Sequence, residues 1–491
     1  MLIFSMIYFE SRRYSKANKI YRNSEIVIVA IPAHYPFVIS TCLEYATNCI
    51  NMEKKVIIVN LAWLMPVNFE NPRSRHIMNF SFKPTVNSAI KNWCKFNNVL
   101  YFEPKTKKEI IGNESICNSQ YLDDVFMKTL RSMNSKSFGT RNFEISDIPV
   151  DEIVSSKNSF LMVINYFDRL LDKYKYLKIN KIVTVNGRFL LDSAVVQFCK
   201  IKKLNYLVLE SVTLDWNNYE EFHTGAHVTS ELRQLLIDQW EHDLSIEPIK
   251  TRNLAVEHFE KRLSNQWEWN VGSSEEAFQS AHNREFIAYF PTSDWEFGVH
   301  DDDYEQQINQ VNQLETFKWT ADYCRLNNLD LIVRVHPHPK NLRLAEIENN
   351  IWQDNIAKYG GILIKSNDLI SSHQVARKAI ANIVHKSSIG AELLYLGLPT
   401  VITSQTIYSF LVPEFQATTK ELFDKILNNM PNHIEKEKLL PWAYYFENGG
   451  TKFKYFRNID NYTVLHEGKY FLRIRSWVQT ILKFKNKLKD L

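Results

Sequence analysis

Three segments concentrate side chains suited to chemistry on a phosphorylated substrate. The run Arg334-Val335-His336-Pro337-His338-Pro339-Lys340 carries a guanidinium, two imidazoles and an ammonium. Its prolines fix φ and remove backbone donors, so they stop a strand and stiffen the loop beyond it. A histidine held on such a loop suits a phosphate or a nucleotide base. The bland alternative is a pair of loop histidines beside a turn. A zinc site built on the H-x-H lacks further ligands at the usual spacing. The second run is His385-Lys386-Ser387-Ser388-Ile389-Gly390-Ala391-Glu392. Ser387 or Ser388 would cap a helix starting near Ile389, leaving hydroxyls and unbonded N–H groups for a phosphate. Glu392, one turn on, could hold a ribose hydroxyl, or be the acid common in a first helical turn. The third run, Pro291-Thr292-Ser293-Asp294-Trp295-Glu296, supplies two candidate catalytic carboxyls, Asp294 and Glu296. Asp301-Asp302-Asp303 comes next and fits either a helix N-terminus or a D-x-D that holds Mg²⁺ against a diphosphate.

The first half of the chain adds Asn186-Gly187-Arg188 and Glu210. Asn186 and Arg188 could hold an acceptor, and Glu210 is a third candidate catalytic carboxyl. A turn glycine flanked by solvated polar residues explains the same letters.

These segments need elements to position them. Short β-branched or aromatic runs recur: Ile26–Pro32, Val56–Leu61, Val99–Phe102, Ile182–Val185 and Tyr206–Leu209, then Phe286–Phe290, Leu331–Val335, Ile362–Ile364, Ile380–Val384 and Pro399–Ile402. Each reads as a strand buried on both faces. Amphipathic stretches such as Phe160–Leu177 and Leu190–Lys203 lie between them. Alternating strands and helices predict α/β architecture with parallel sheets. Two such series predict two Rossmann-like domains facing across a cleft: 1–280, and 281–465 with a C-terminal basic amphipathic helix over 466–491. In open parallel sheets ligands bind beyond the carboxyl ends of the strands, and every run singled out above sits at such an end. Tyr395-Leu396-Gly397-Leu398-Pro399 punctuates the last helix and strand, with Gly397 as a helix stop.

Composition narrows the class. The chain has 491 residues and a formal charge of +4, too small a field for a nucleic-acid protein driven by charge. Its 13 glycines are few. Cys42, Cys49, Cys94, Cys117, Cys199 and Cys324 form no C-x-x-C pair and read as buried thiols of a reducing compartment. The apolar start, Met1 to Phe9, lacks the basic region and cleavage site of a signal peptide. No apolar window reaches the length of a membrane span. The tail from Lys469 alternates Arg473, Arg475, Lys483, Lys485, Lys487 and Lys489 with apolar residues. It could lie on an anionic membrane or dock on the protein. No P-loop, G-x-G-x-x-G or G-x-S-x-G occurs.

An R-x-H-P strand end, then S-S at a helix start leading into A-E-x-x-x-x-G-x-P, resembles the bacterial capsule polysaccharide biosynthesis and export glycosyltransferases, including relatives that transfer Kdo or sialic acid. Arg334, His336, Pro337, Ser387, Ser388, Glu392, Gly397 and Pro399 carry the likeness, with Asn186–Arg188 and Thr292–Glu296. The convincing part covers about 285–405. The resemblance implies a GT-B fold with a nucleotide-sugar donor on the C-terminal domain. It implies that His336 and Pro337 contact the nucleotide and that Ser387 and Ser388 hold its phosphate; Arg334, His338 and Glu392 complete the expected donor-binding set. The expected chemistry is glycosyl transfer from a nucleotide-activated sugar, such as a CMP-linked one, without metal or cofactor. The expected acceptor is a glycan or glycolipid, and the expected location is cytoplasmic, peripheral on the inner face of the membrane. The alternatives are a CDP-polyol phosphotransferase of teichoic-acid type and a non-catalytic capsule assembly protein.

Overall fold

The structure is a computed structural model. It describes residues 25–65, 83–104, 120–138, 144–212, 216–225, 228–264, 284–293, 312–337, 342–431, 434–460 and 463–473. They fall into two compact units. The first lies within Met1–Met133, Glu144–Ala226 and Gly450–Lys485, and the second chiefly within His227–Gly449.

The first unit is built on β1 (Glu25–Ile31), β2 (Lys55–Asn60), β3 (Leu100–Phe102), β4 (Lys178–Val185), β5 (Tyr206–Glu210) and β6 (Asn218–Phe222). The order β5-β4-β1-β2-β3 is parallel throughout. Strand β6 and the two-residue strand Thr451–Lys452 extend this sheet antiparallel. The second unit carries β7 (Phe286–Phe290), β8 (Asp330–Arg334), β9 (Ile362–Ile364), β10 (Ala381–Val384) and β11 (Thr400–Ile402) in the order β11-β10-β7-β8-β9, again all parallel. Counted within each unit, both sheets run 3-2-1-4-5, the doubly wound order of a Rossmann domain. The α/β class and all ten expected strands are therefore present, with ends shifted by a few residues.

Burial explains why these runs are continuous rather than alternating. Every residue of β7 is buried. Ile287 and Tyr289 pack on one face with Phe317, Val333 and Trp352. Phe286, Ala288 and Phe290 pack on the other with Val375, Ala376 and Leu393. A strand covered on both sides has no polar face to show.

Three features depart from expectation. Helices Thr229–Ile246 and Pro248–Leu263 precede residue 280 yet belong to the second unit. There His258 and Phe259 pack against Trp442 of helix Leu440–Asn448. The chain also returns to the first unit after Gly449. Glu44, fully buried, accepts hydrogen bonds from the backbone N–H groups of Lys454 (2.6 Å), Tyr455 (3.0 Å) and Phe456 (2.9 Å). Finally, Lys469–Arg473 is a strand paired antiparallel with Thr463–His466, not the start of a helix. Leu472 is buried while its neighbours Phe471 and Arg473 stay more exposed. The expected helix beyond it, 474–491, lies outside the described residues, as do Cys117, Lys340 and Asp301–Asp303. The five cysteines described are buried and free. No described helix is long and apolar enough to cross a membrane.

Candidate functional site

In the second unit the strand order reverses between β7 and β10, so the connections leaving those strands diverge to opposite faces and open a crevice at their carboxyl ends. Pro291–Ser293 leaves β7 there and His385–Ser388 leaves β10. The Val335-His336-Pro337 segment leaves β8, the neighbour of β7 on its other side. The paired-histidine run and the serine run thus emerge two strands apart on one edge, about 10 Å by ordinary strand spacing.

The histidine of the serine run turns inward. His385 is buried, with Nδ1 3.2 Å from Thr403 Oγ1 and 3.4 Å from Thr316 Oγ1. Lys386 then takes a left-handed backbone (φ 55°), fixed by its N–H donating to Ser404 Oγ (2.7 Å). That bend sets Ser387 and Ser388 half-buried at the start of helix Ile389–Tyr395. Ser388 makes no capping bond, because its own backbone is already helical (φ −62°, ψ −22°). The serine hydroxyls are thus not consumed by the helix. Ser388 Oγ accepts from Arg262 (3.3 Å), and the Ser387 hydroxyl has no protein partner among the described residues. Tyr408 braces the turn by donating to Ser387 O (2.6 Å). A Cβ at Gly390 would collide with that phenol, so glycine is required there. Gly397 (φ 77°) ends the helix, with Leu398 N–H bonded to Leu393 O (3.0 Å).

Two expected donor contacts are placed elsewhere. Arg334 is buried and donates to Lys365 O and Asp368 O, the carbonyls of the loop after β9. Burial pushes its guanidinium down to about 10, opposed by Asp368. It ties a loop rather than facing a ligand. Glu392 is buried with one oxygen on Arg262 Nε (2.6 Å) and the other on His373 Nε2 (2.8 Å). Burial raises its carboxyl, but Arg262 and His373 outweigh it and hold it below the usual range. Each of its oxygens thus already has a partner within the protein. His336 and Pro337 are half-buried at the edge. His338, Asp294 and Glu296 lie outside the described residues.

In the first unit, Asn186 and Gly187 both take positive φ (66° and 76°) at the end of β4. A side chain at Gly187 would press on Val208 (3.0 Å). The turn lets Asn186 Nδ2 donate to Glu210 Oε2 and Asn186 Oδ1 accept from Arg188 Nε (3.2 Å). Glu210 also accepts from Ser211 N–H (3.2 Å). Burial pushes the Glu210 carboxyl up, opposed by Arg188 and Asn186. Asp192, buried in the first turn of helix Leu190–Lys202, is pushed up to about 8 by burial, against its backbone hydrogen bonds and Arg188.

Sequence reasoning missed Arg262, His373 and Asp192. A signal for His373 existed: Ser371 and Gln374 form a reciprocal capping box just after β9, which marks a helix start at a strand's carboxyl end. Arg262 has no such mark, since its partners are over a hundred residues away.

No family model matches the chain, and no curated protein matches it in sequence. Among solved structures it is similar to Thermosulfurimonas dismutans KpsC, a beta Kdo 2,4 transferase, at 13% identity and TM-score 0.33, over 54% of this chain and 79% of that one. It is also similar to Methanocaldococcus jannaschii UDP-GlcNAc 2-epimerase at 11% identity and TM-score 0.26, over 87% of this chain and 96% of that one. A third is a glycosyltransferase from Rickettsia africae ESF-5, at 9% identity and TM-score 0.29, over 86% and 93%. Superpositions this loose leave the strand order itself as the firmer statement of fold.

Proposed function

We propose that the chain is a glycosyltransferase of GT-B type that moves a sugar from a nucleotide donor onto a glycan or glycolipid acceptor in surface or capsular polysaccharide synthesis. One observation carries the reading. The His336-Pro337 loop and the Ser387-Ser388 turn leave the same sheet edge, on either side of β7, where an open parallel sheet takes its ligands. The donor's leaving phosphate gains negative charge as the glycosidic bond breaks. The Ser387 and Ser388 hydroxyls and His336 would receive it, since preorganised donors aimed at developing charge lower the barrier most. Arg262 charges the Ser388 side of that seat.

Transfer also needs a base for the acceptor hydroxyl. Glu210 is the described candidate whose environment fits, because burial raises its proton affinity above that of a free carboxyl. Asp294 and Glu296 remain candidates by sequence. Asn186 and Arg188 hold Glu210 in place, and acceptor binding at that end of the first sheet belongs to the same proposal, as does action at the inner membrane face.

The test is the product. Incubation with CMP-, UDP- and CDP-activated donors and a lipid-linked or oligosaccharide acceptor pool should yield an acceptor heavier by one sugar. An increment of a polyol phosphate would replace this reading with phosphotransfer. Absence of any transfer together with absence of nucleotide binding would favour an assembly protein.

A further inference from the structure

Four large aromatic side chains stand exposed at the carboxyl edge of the first sheet: Tyr35 (51%), Trp63 (41%), Phe189 (43%) and Trp216 (42%). They come after β1, β2, β4 and β5, which are consecutive in the order β5-β4-β1-β2. The rings form a rim rather than isolated spots. Tyr35 stacks with Phe37 (centroids 6.1 Å apart, 15° between planes), and Phe37 meets Trp216 at 4.7 Å. His34, next to Tyr35, meets Trp63 edge-on at 6.1 Å.

Trp216 is held where its backbone does not want to be. Its φ is 55°, the left-handed region that bulky residues avoid and that marks strain kept for a purpose. Asn458 enforces it. Its Nδ2 donates to Trp216 O, its backbone N–H donates to Asn217 Oδ1 (2.6 Å), and Asn217 Nδ2 donates back to Asn458 O (3.2 Å). The indole packs on Phe37 with one side and keeps the rest of its surface open at the edge (42% exposed).

We propose that this rim is a saccharide-binding surface on which sugar rings of the acceptor stack. The proposal rests on the glycosyl-transfer reading and names the acceptor's mode of recognition. A pyranose presents an apolar C–H face and a belt of hydroxyls. It therefore needs flat rings beside groups that both donate and accept hydrogen bonds. The rim supplies the rings. Asn186 and Arg188, half-buried at the end of β4, supply polar groups beside them. An acyl chain would cover the rings but strip water from those polar groups without replacing their hydrogen bonds, which is costly. The same cost disfavours a purely apolar protein partner.

The full chain is tested on an array of immobilised neutral and acidic oligosaccharides, beside phosphatidylglycerol vesicles and a light-scattering measurement of oligomeric state. Wild type should bind a subset of the saccharides. Trp216→Ala and Tyr35→Ala should weaken that binding at least tenfold, and Trp216→Phe should restore part of it. The rise of melting temperature with CMP, UDP or CDP should be unchanged in all three variants. Saccharide binding without nucleotide binding would still support the rim while removing the transferase reading. The proposal is overturned by nucleotide binding without any saccharide binding, by variants that bind saccharides as wild type does, or by variants that instead lose vesicle binding or self-association.

Discussion

Each sheet places one buried glutamate at its carboxyl edge, and the two have opposite electrostatic surroundings. Glu392 in the second unit lies between Arg262 and His373, which hold its carboxyl below the usual range despite burial. Glu210 in the first unit has Asn186 and Ser211 N–H as hydrogen-bond donors, and burial lifts it despite Arg188. A carboxylate pinned as an anion by cations is an orienting group: it fixes Arg262 beside Ser388 and fixes His373 in turn. A carboxyl raised by burial holds a proton more readily than a free one, as a base must. The proposed function therefore gives the same residue type a structural part in one unit and a chemical part in the other, by neighbours rather than by sequence.

That contrast can be broken by exchanging each acid for its amide. Glu210→Gln keeps the shape but cannot take a proton, and its NH2 would face one of two donors, Asn186 Nδ2 or Ser211 N–H; transfer should fall by about 10²–10⁴, measured as initial rate under donor saturation. The donor left without an acceptor should cost about 1–3 kcal/mol of folding free energy. Glu392→Gln should cost more stability than that and less activity. Arg262 is left buried without its counter-charge, at a cost of about 3–5 kcal/mol in a urea unfolding curve. If Glu210→Gln proves the destabilising one and Glu392→Gln the silent one, the assignments must be swapped.

Asp192 sharpens the same contrast through pH. Its carboxyl ordinarily titrates near 3.8 and is pushed up to about 8 in the fold. Between those values the folded chain keeps a proton that the unfolded chain has lost. Stability should therefore fall as pH rises through that window. Glu392, lowered in the fold, contributes the opposite way. Its stabilisation is present above the unfolded glutamate value and disappears as pH falls through the depressed one. Asp192→Asn should flatten the decline toward pH 8 without changing the acid limb, as read from denaturation midpoints at several pH values. The smallest effect is expected at Arg334. Arg334→Met leaves the carbonyls of Lys365 and Asp368 short of a donor, costing about 1–3 kcal/mol, while nucleotide affinity stays put. A tenfold loss of affinity would return Arg334 to the ligand.

The strands were legible because a doubly covered parallel sheet leaves unbroken apolar runs, and their ends carry the polar letters that mark a ligand edge. What each polar residue does there was less legible. Arg334 and His336 look alike as strand-end cations, yet Arg334 is consumed by Lys365 O and Asp368 O, a loop about thirty residues on. Ser388 reads as a capping serine, but Lys386 turns the chain so that the cap bond is not made. The polar strand β6 and the antiparallel strands from Phe456 on carry too few residues, and too many polar ones, for an alternation to stand out in the sequence. Glu392 seemed free for a ribose because its partners, Arg262 and His373, come from other helices and leave no local spacing.

The central claim is that the serine turn after β10 grips the phosphate of a nucleotide-activated sugar. Isothermal titration of CMP, UDP and CDP into wild type and into the Ser387→Ala/Ser388→Ala double variant tests it most directly. The account predicts that one nucleotide binds wild type with a Kd below about 1 mM, raises its melting temperature as any ligand of the folded state must, and binds the double variant at least tenfold more weakly. Equal affinity for the two proteins, or no heat from any of the three nucleotides, would contradict it.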